Sequence, residues 1–388
     1  MLARVEVSKK IWTWAIRRSQ LPKATLLTEI PLLSRWIRGE VHPTVRQLEE
    51  FARKTRTPLG YLFLDAPPEE DLGLPDFRTK SAKRPAFSPD LIETVEDMLR
   101  RQQWMRADRI NDGHDPLPFV NSATIKQTPE ILANEIRREL RLNFEWTSQY
   151  KSWEKTLLAM RKAIGDIGIL VFCASMVRTN TSRMLNPDEF RGFVLIDEYA
   201  PVIFVNTNDS PSAQMFTLAH ELVHVWVGQS SLVNLSGLQP HRDKVEQFCN
   251  AVAAEFLVPT MPFRDRWMLM STTTARHIEA MSTLFRVSPL VIARRALDLE
   301  LISQAAFTQF YAREQARWQK IKENRDGAPV FYQVQDLRLG NQFGWSVVRA
   351  TKEGRLLYRE AYELTGLKRL SFDKYSQRLT ERISNERY

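Results

Sequence analysis

The run MFTLAHELVHVWVG, from Met215 to Gly228, constrains this chain more than any other, because it sets His220-Glu221-Leu222-Val223-His224 inside an apolar stretch of helical character. Residues four apart on a helix share a face one turn apart, so His220 and His224 can present two imidazoles to one ion. Glu221 is rotated by roughly 100° from His220. That makes it a poor third ligand but lets it reach water on the ion's open position. Two nitrogen ligands, and a carboxylate that takes a proton from metal-activated water, are what a zinc hydrolase requires. The bland alternative is a structural helix with satisfied histidines. Against it, only 6 His occur in 388 residues, and two of them fall here at ligand spacing. Burying them with a carboxylate among Phe216, Leu218, Leu222, Val223, Val225 and Trp226 is costly without a partner.

A catalytic zinc site with an open position needs a third protein ligand. The next helical stretch, DKVEQFCNAVAAEFLVP from Asp243 to Pro259, offers Glu246 and Asn250 on one face and leaves Val245, Phe248, Val252, Phe256 and Leu257 for packing. Glu246 as ligand, with Asn250 supporting it, is a coherent pair. His241, Asp243 and Glu255 compete, but His241 sits in a polar loop and Glu255 lies about two and a half turns beyond Glu246. The bland reading of Glu246 is a solvated helical glutamate. Zn²⁺ is the expected metal, and sets of two histidines and a glutamate also accept manganese.

A chain of 388 residues exceeds one ordinary domain, and its 43% hydrophobic and 26% charged residues are a globular composition. Its two cysteines, Cys173 and Cys249, both sit in apolar runs and read as buried free thiols of a cytoplasmic protein. The first residues carry Glu6, Lys9, Lys10, Arg17 and Arg18 without an apolar core, unlike a signal peptide, and no apolar run reaches membrane-spanning length. The net charge of +9 is unevenly spread: residues 1–66 hold twelve Lys/Arg against six Asp/Glu, and the segment from Tyr311 onward holds sixteen against ten. The middle, with the metal-site residues, is slightly acidic, so its chemistry need not involve nucleic acid.

Along the chain, residues 8–19 read as a helix with Ile11, Trp12, Ala15 and Ile16 on one face. After Pro31, Leu33, Trp36 and Ile37 point inward, Arg35 and Arg38 outward, and Gly39 stops the helix. Pro43-Thr44 opens a further helix striped by Val45, Leu48 and Phe51. The segment SRWIRGEVHPTVRQLEEFA resembles the second half of an Xre-type helix-turn-helix domain. The resemblance implies that Arg35, Arg38 and Thr44 contact DNA phosphates or base edges. LPKATLLTE is short for the first helix of that motif, and a small helical module for protein contacts is the competing reading.

A Pro-rich linker over 67–89 precedes a helix from about Asp90 to Arg109, a helix started by Thr128-Pro129, and another over Trp153–Ile164 carrying Leu157, Leu158 and Met160. The period then changes. Gly168–Ala174, Phe190–Asp197 and Pro201–Asn206 read as strands, with a hairpin at Glu198-Tyr199-Ala200, and Asn208–Ser212 caps the histidine helix. Gly192–Ile196 is the expected exposed strand for an extended peptide. Ser271–Phe285 and Ser288–Ala296 form a helical pair, Ala305–Glu323 a long basic helix, and Phe331–Tyr388 a compact tail with two further helices. The fold class is therefore α+β: a mainly helical multi-domain chain with a small sheet packed on the histidine helix. Residues 1–66, 90–300 and 301–388 are its expected structured regions.

Residues from about 30 to 300 resemble the ImmA/IrrE family of zinc metallopeptidases. The resemblance rests on PVIFVN, then FTLAHELVH, then E-x-x-x-N-x-x-A-A-E-F-L-V-P, with LPDFRT and IRRELRL upstream. Val223 stands where the family has glycine, and Val258 where it has methionine; neither is a ligand. The resemblance implies a thermolysin-like zincin core, with His220, His224 and Glu246 on zinc and Glu221 as general base. It also implies a protein substrate, a transcriptional repressor of the Xre type, whose cleavage releases mobile-element or stress-response genes. A DNA-binding regulator, or a toxin-antitoxin-like component with a sensing or partner-binding core, is the alternative. Tyr199 and His241 are the available oxyanion donors, and nothing in the sequence selects either.

Overall fold

The computed structural model describes residues 4–69, 87–233, 243–269, 273–322 and 331–386, arranged as two compact units that divide at Glu96 and Asp97. His241, LPDFRT and most of the 67–89 linker lie outside the described residues.

The first unit contains four short helices, α1 (Lys9–Arg18), α2 (Lys23–Glu29), α3 (Leu33–Arg38) and α4 (Val45–Thr55), and a 3₁₀ turn at Leu59–Phe63. Apolar residues at helical spacing close a core in which Trp12 stacks on Trp36 and meets Phe51 edge-on, at ring centroid separations of 5.8 and 4.8 Å. Val45, expected in that core, is exposed at the start of α4. Thr44 accepts a bond from the Gln47 N–H while the Gln47 side chain accepts from the Thr44 N–H, a reciprocal cap. Arg35 and Arg38 are exposed, as expected, and both pair with Glu40 at 3.4 and 2.5 Å.

The second unit is built round a four-stranded sheet of β1 (Leu170–Ala174), β2 (Gly192–Leu195), β3 (Val202–Asn206) and β4 (Ser231–Val233), in the spatial order β1-β3-β2-β4. β1 runs parallel to β3, and β2 is antiparallel to both β3 and β4. Gly192–Ile196 is therefore not an exposed edge. Its residues Gly192 to Val194 pair with Val233 to Ser231, and the Ile196 N–H is bonded by Ser230 Oγ.

Alternation gives the sheet two different faces. Cys173, Ile203, Val205 and Val194 belong to the large core with helix α8 (Pro211–Val227), whereas Phe193, Phe204 and Phe190 cluster through their rings. Helix α5 (Pro89–Asn111) ties that hairpin down: Gln102 donates to Leu195 O and Ala200 O at 2.9 and 3.0 Å.

Helix α8 packs on α7 (Trp153–Asp166) and α9 (Lys244–Leu257), α6 (Pro129–Glu139) packs on α9, and α10 (Thr260–Met268), α11 (Thr274–Phe285), α12 (Pro289–Asp298) and α13 (Gln304–Lys322) follow in series. Thr128 stands at the α6 N-cap without a side-chain bond, and Leu158 of α7 points to solvent rather than inward. The last segment forms four helices rather than two: α14 (Phe331–Leu339), α15 (Asn341–Lys352), α16 (Tyr358–Thr365) and α17 (Arg369–Glu386). Phe343 of α15 meets Phe172 of β1 edge-on at 5.4 Å, and the Arg101 guanidinium lies over both rings. No helix among the described residues is long and apolar enough to cross a membrane.

Candidate metal centre

Helix α8 is apolar nearly all round, and such a helix is stable only when enclosed. Every residue from Gln214 to Val227 is buried. Ser210 starts the helix by accepting from the Ala213 N–H, with Pro211 in the first turn. Gly228 ends it in the left-handed region at φ 76°, where a Cβ would strike the Asn121 side chain. The Asn121 and Ala123 N–H groups bond Val225 O and Trp226 O, satisfying carbonyls that the helix end leaves open. The histidine helix is thus held at both ends and sealed along its length.

Within it, His220 Nε2 and His224 Nε2 stand 3.0 Å apart. Helix α9 brings Glu246 onto them, with Oε2 3.2 Å from His220 Nε2 and Oε1 3.5 Å from His224 Nε2. The three residues form the metal-competent group found among the described residues, its donor atoms all within 4.8 Å of one another. Both Nδ1 atoms are buried without a hydrogen-bond partner, so the rings engage polar groups only through Nε2. Two imidazole nitrogens and a carboxylate converging on one buried point are the donor set that a borderline-soft divalent cation such as zinc accepts.

The electrostatics agree with that donor set. Burial pushes the His220 imidazole below its ordinary value, outweighing its bonds to Glu246 and Asn250, and so favours the neutral ring that binds metal. Burial acting alone would raise Glu246, but hydrogen bonds to the two histidines hold it well below the usual carboxylate range. Glu221 lies outside this triangle. Burial first, and then the charge of Glu246, push it well above its ordinary value, with a bond from Ser231 acting the other way.

The remaining candidates are elsewhere. Asn250 acts on the His220 imidazole, where its side chain favours the protonated ring. Asp243 is the N-cap of α9, accepting from the Val245 N–H at 2.9 Å. Glu255 is buried in a separate cluster, where it pairs with Arg295 and accepts from the Thr260 N–H and hydroxyl at 3.0 and 2.6 Å. Tyr199 lies in the β2–β3 turn, its ring 4.9 Å from the Arg106 guanidinium and its carbonyl bonded by Arg109. Sequence reasoning missed Ser231, whose hydroxyl reaches Glu221 only through the folded sheet, and the closeness of Gly192 to α8, where an added Cβ would stand 3.4 Å from Glu221 Oε1.

Helix, sheet and donor triangle together present a group that could hold a metal ion, with the buried carboxylate of Glu221 beside it. Residues 164–297, which contain all of it, match the IrrE N-terminal-like domain of the peptidase M78 family, which supports a metallopeptidase of the ImmA/IrrE type at the family level. Residues 339–378 match a domain of unknown function, DUF8813. No curated protein matches the chain.

Proposed function

We propose that this chain is a zinc-dependent endopeptidase of the ImmA/IrrE type that cleaves an Xre-type transcriptional repressor. In this reading His220, His224 and Glu246 hold the zinc, Glu221 is the general base, and the small sheet packed on α8 is a zincin-like core. The observation that carries it is a further carboxylate, the fully buried Glu221, placed beside the donor triangle and outside it. A purely structural metal site has no use for such a group.

Zinc, when bound, supplies Lewis-acid activation of water and of the scissile carbonyl. Glu221 then takes the proton from the attacking water and returns it to the leaving amine. Its burial raises its proton affinity, the direction that suits a group that accepts and returns a proton. Asn250, whose side chain acts on the His220 imidazole, is assigned the task of orienting that ring. The peptide-binding role first assigned to Gly192–Ile196 passes to β4, whose outer side has no partner strand among the described residues. DNA contact through Arg35, Arg38 and Thr44 has less support, because both guanidinium groups share Glu40 and the Thr44 hydroxyl is engaged in a helix cap.

Glu221→Gln tests the assignment. The variant is expected to keep its zinc, measured by elemental analysis, while cleavage of a co-expressed Xre-type repressor falls by about 100-fold or more. Cleavage continuing at the wild-type rate would rule out the peptidase reading.

A further inference from the structure

Directly opposed residues of an antiparallel pair send their side chains to the same face. Gly192 faces α8, since a Cβ built there would stand 2.6 Å from Thr217 Cγ2 and 3.4 Å from Glu221 Oε1. Val194, two residues on, faces the same helix, and so does Ser231 opposite it on β4. The Ser231 hydroxyl donates to Glu221 Oε2 at 3.0 Å, and both side chains are buried. Ser230, one residue earlier, spends its hydroxyl on the Ile196 N–H at 3.1 Å, so the two serines have separate tasks. Glu221 Oε1 has no hydrogen-bond partner. One carboxylate oxygen is tethered and the other is free.

We propose that Ser231 is a positioning residue for the proposed general base: by holding Oε2, it fixes the last torsion of the Glu221 side chain and aims Oε1 for proton transfer. The role rests on the metallopeptidase reading above. A glutamate has three side-chain torsions, and the final one rotates freely unless a bond holds it. Proton transfer needs the accepting oxygen within hydrogen-bond reach of its donor, so an untethered carboxylate spends time in unproductive orientations. The alternative is that Ser231 only satisfies its own buried hydroxyl, in which case Glu221 would behave the same without it.

The test uses the full chain loaded with cobalt(II) and titrated with acetohydroxamate, a metal chelator that releases a proton to a neighbouring base on binding; the visible spectrum reports binding without a peptide substrate. Ser231→Ala is expected to keep the wild-type cobalt stoichiometry and thermal midpoint but to bind acetohydroxamate about tenfold more weakly, the loss of one hydrogen bond to a charged group. Ser231→Thr, which retains the hydroxyl, restores the affinity. In a Glu221→Gln background, Ser231→Ala causes no additional loss. Wild-type affinity in Ser231→Ala, no recovery in Ser231→Thr, or an equal loss in the Glu221→Gln background overturns the proposal. If the wild-type chain takes up no cobalt, or Glu221→Gln binds the chelator as the wild type does, the metallopeptidase reading fails and this role with it. If those two results are as expected and Ser231→Ala is silent, only the role of Ser231 is lost.

Discussion

Glu246 and Glu255 sit on one helix, and their environments divide two tasks between them. Glu246 reaches both histidines, whereas Glu255 neutralises Arg295, with Arg137 capping the carbonyls of Glu255 and Phe256. Glu246→Ala should lower metal affinity by at least about tenfold while the fold survives. Glu255→Ala should do the reverse: metal content unchanged by elemental analysis, and a stability loss of about 3–5 kcal/mol in urea unfolding, because a buried guanidinium is left unpaired. Metal loss in the second variant would return Glu255 to the ligand set. Helical spacing pointed to Glu246 over Glu255, and the folded chain sets Glu246 beside the two histidines. The salt bridge of Glu255 was not legible, because Arg295 comes from α12.

Helix α8 approaches β2 unusually closely, and Gly192 makes that approach possible. A methyl group there would also stand 2.8 Å from Phe204 O, so strand and helix must separate to admit it. Gly192→Ala is expected to cost about 1–3 kcal/mol by overpacking, seen as a lower urea midpoint at unchanged slope. An unchanged midpoint would mean that the sheet yields freely. The strands β1, β2 and β3 announced themselves as short apolar runs, but β4 did not. Three residues led by serine carry no pattern, and only their pairing with Gly192–Val194 identifies them. Missing β4 made β2 look like an edge and hid the contact between Ser231 and Glu221.

The helices after Phe331 are part of the same compact unit as the candidate metal centre. Phe343 covers the aromatic side of the sheet with Trp104 and Arg101, while α8 covers the other. A single core predicts a shared transition: Phe343→Ala should destabilise unfolding by about 3–5 kcal/mol, whether followed by tail fluorescence or by release of bound metal. Two separate transitions, with metal release unaffected, would show the tail to be independent. The sequence suggested a basic, compact tail with two further helices. Phe343, Val347, Val348 and Phe372 are buried, and its charge is partly paired, Arg378 with Asp336 inside the segment and Arg355 with Asp108 of α5.

What the sequence determined by itself was local: the helix that must be buried, the two histidines on one face, a carboxylate one turn position away, and a glutamate at the start of the next helix. Spacing along a helix is set by backbone geometry, so four-residue intervals translate directly into shared faces. The tertiary structure decided which strand stands at the edge, which glutamate is paired with arginine, and that a serine on β4 holds Glu221. Those contacts join residues through strand pairing and helix packing, where position depends on how whole elements dock and no interval in the chain records it.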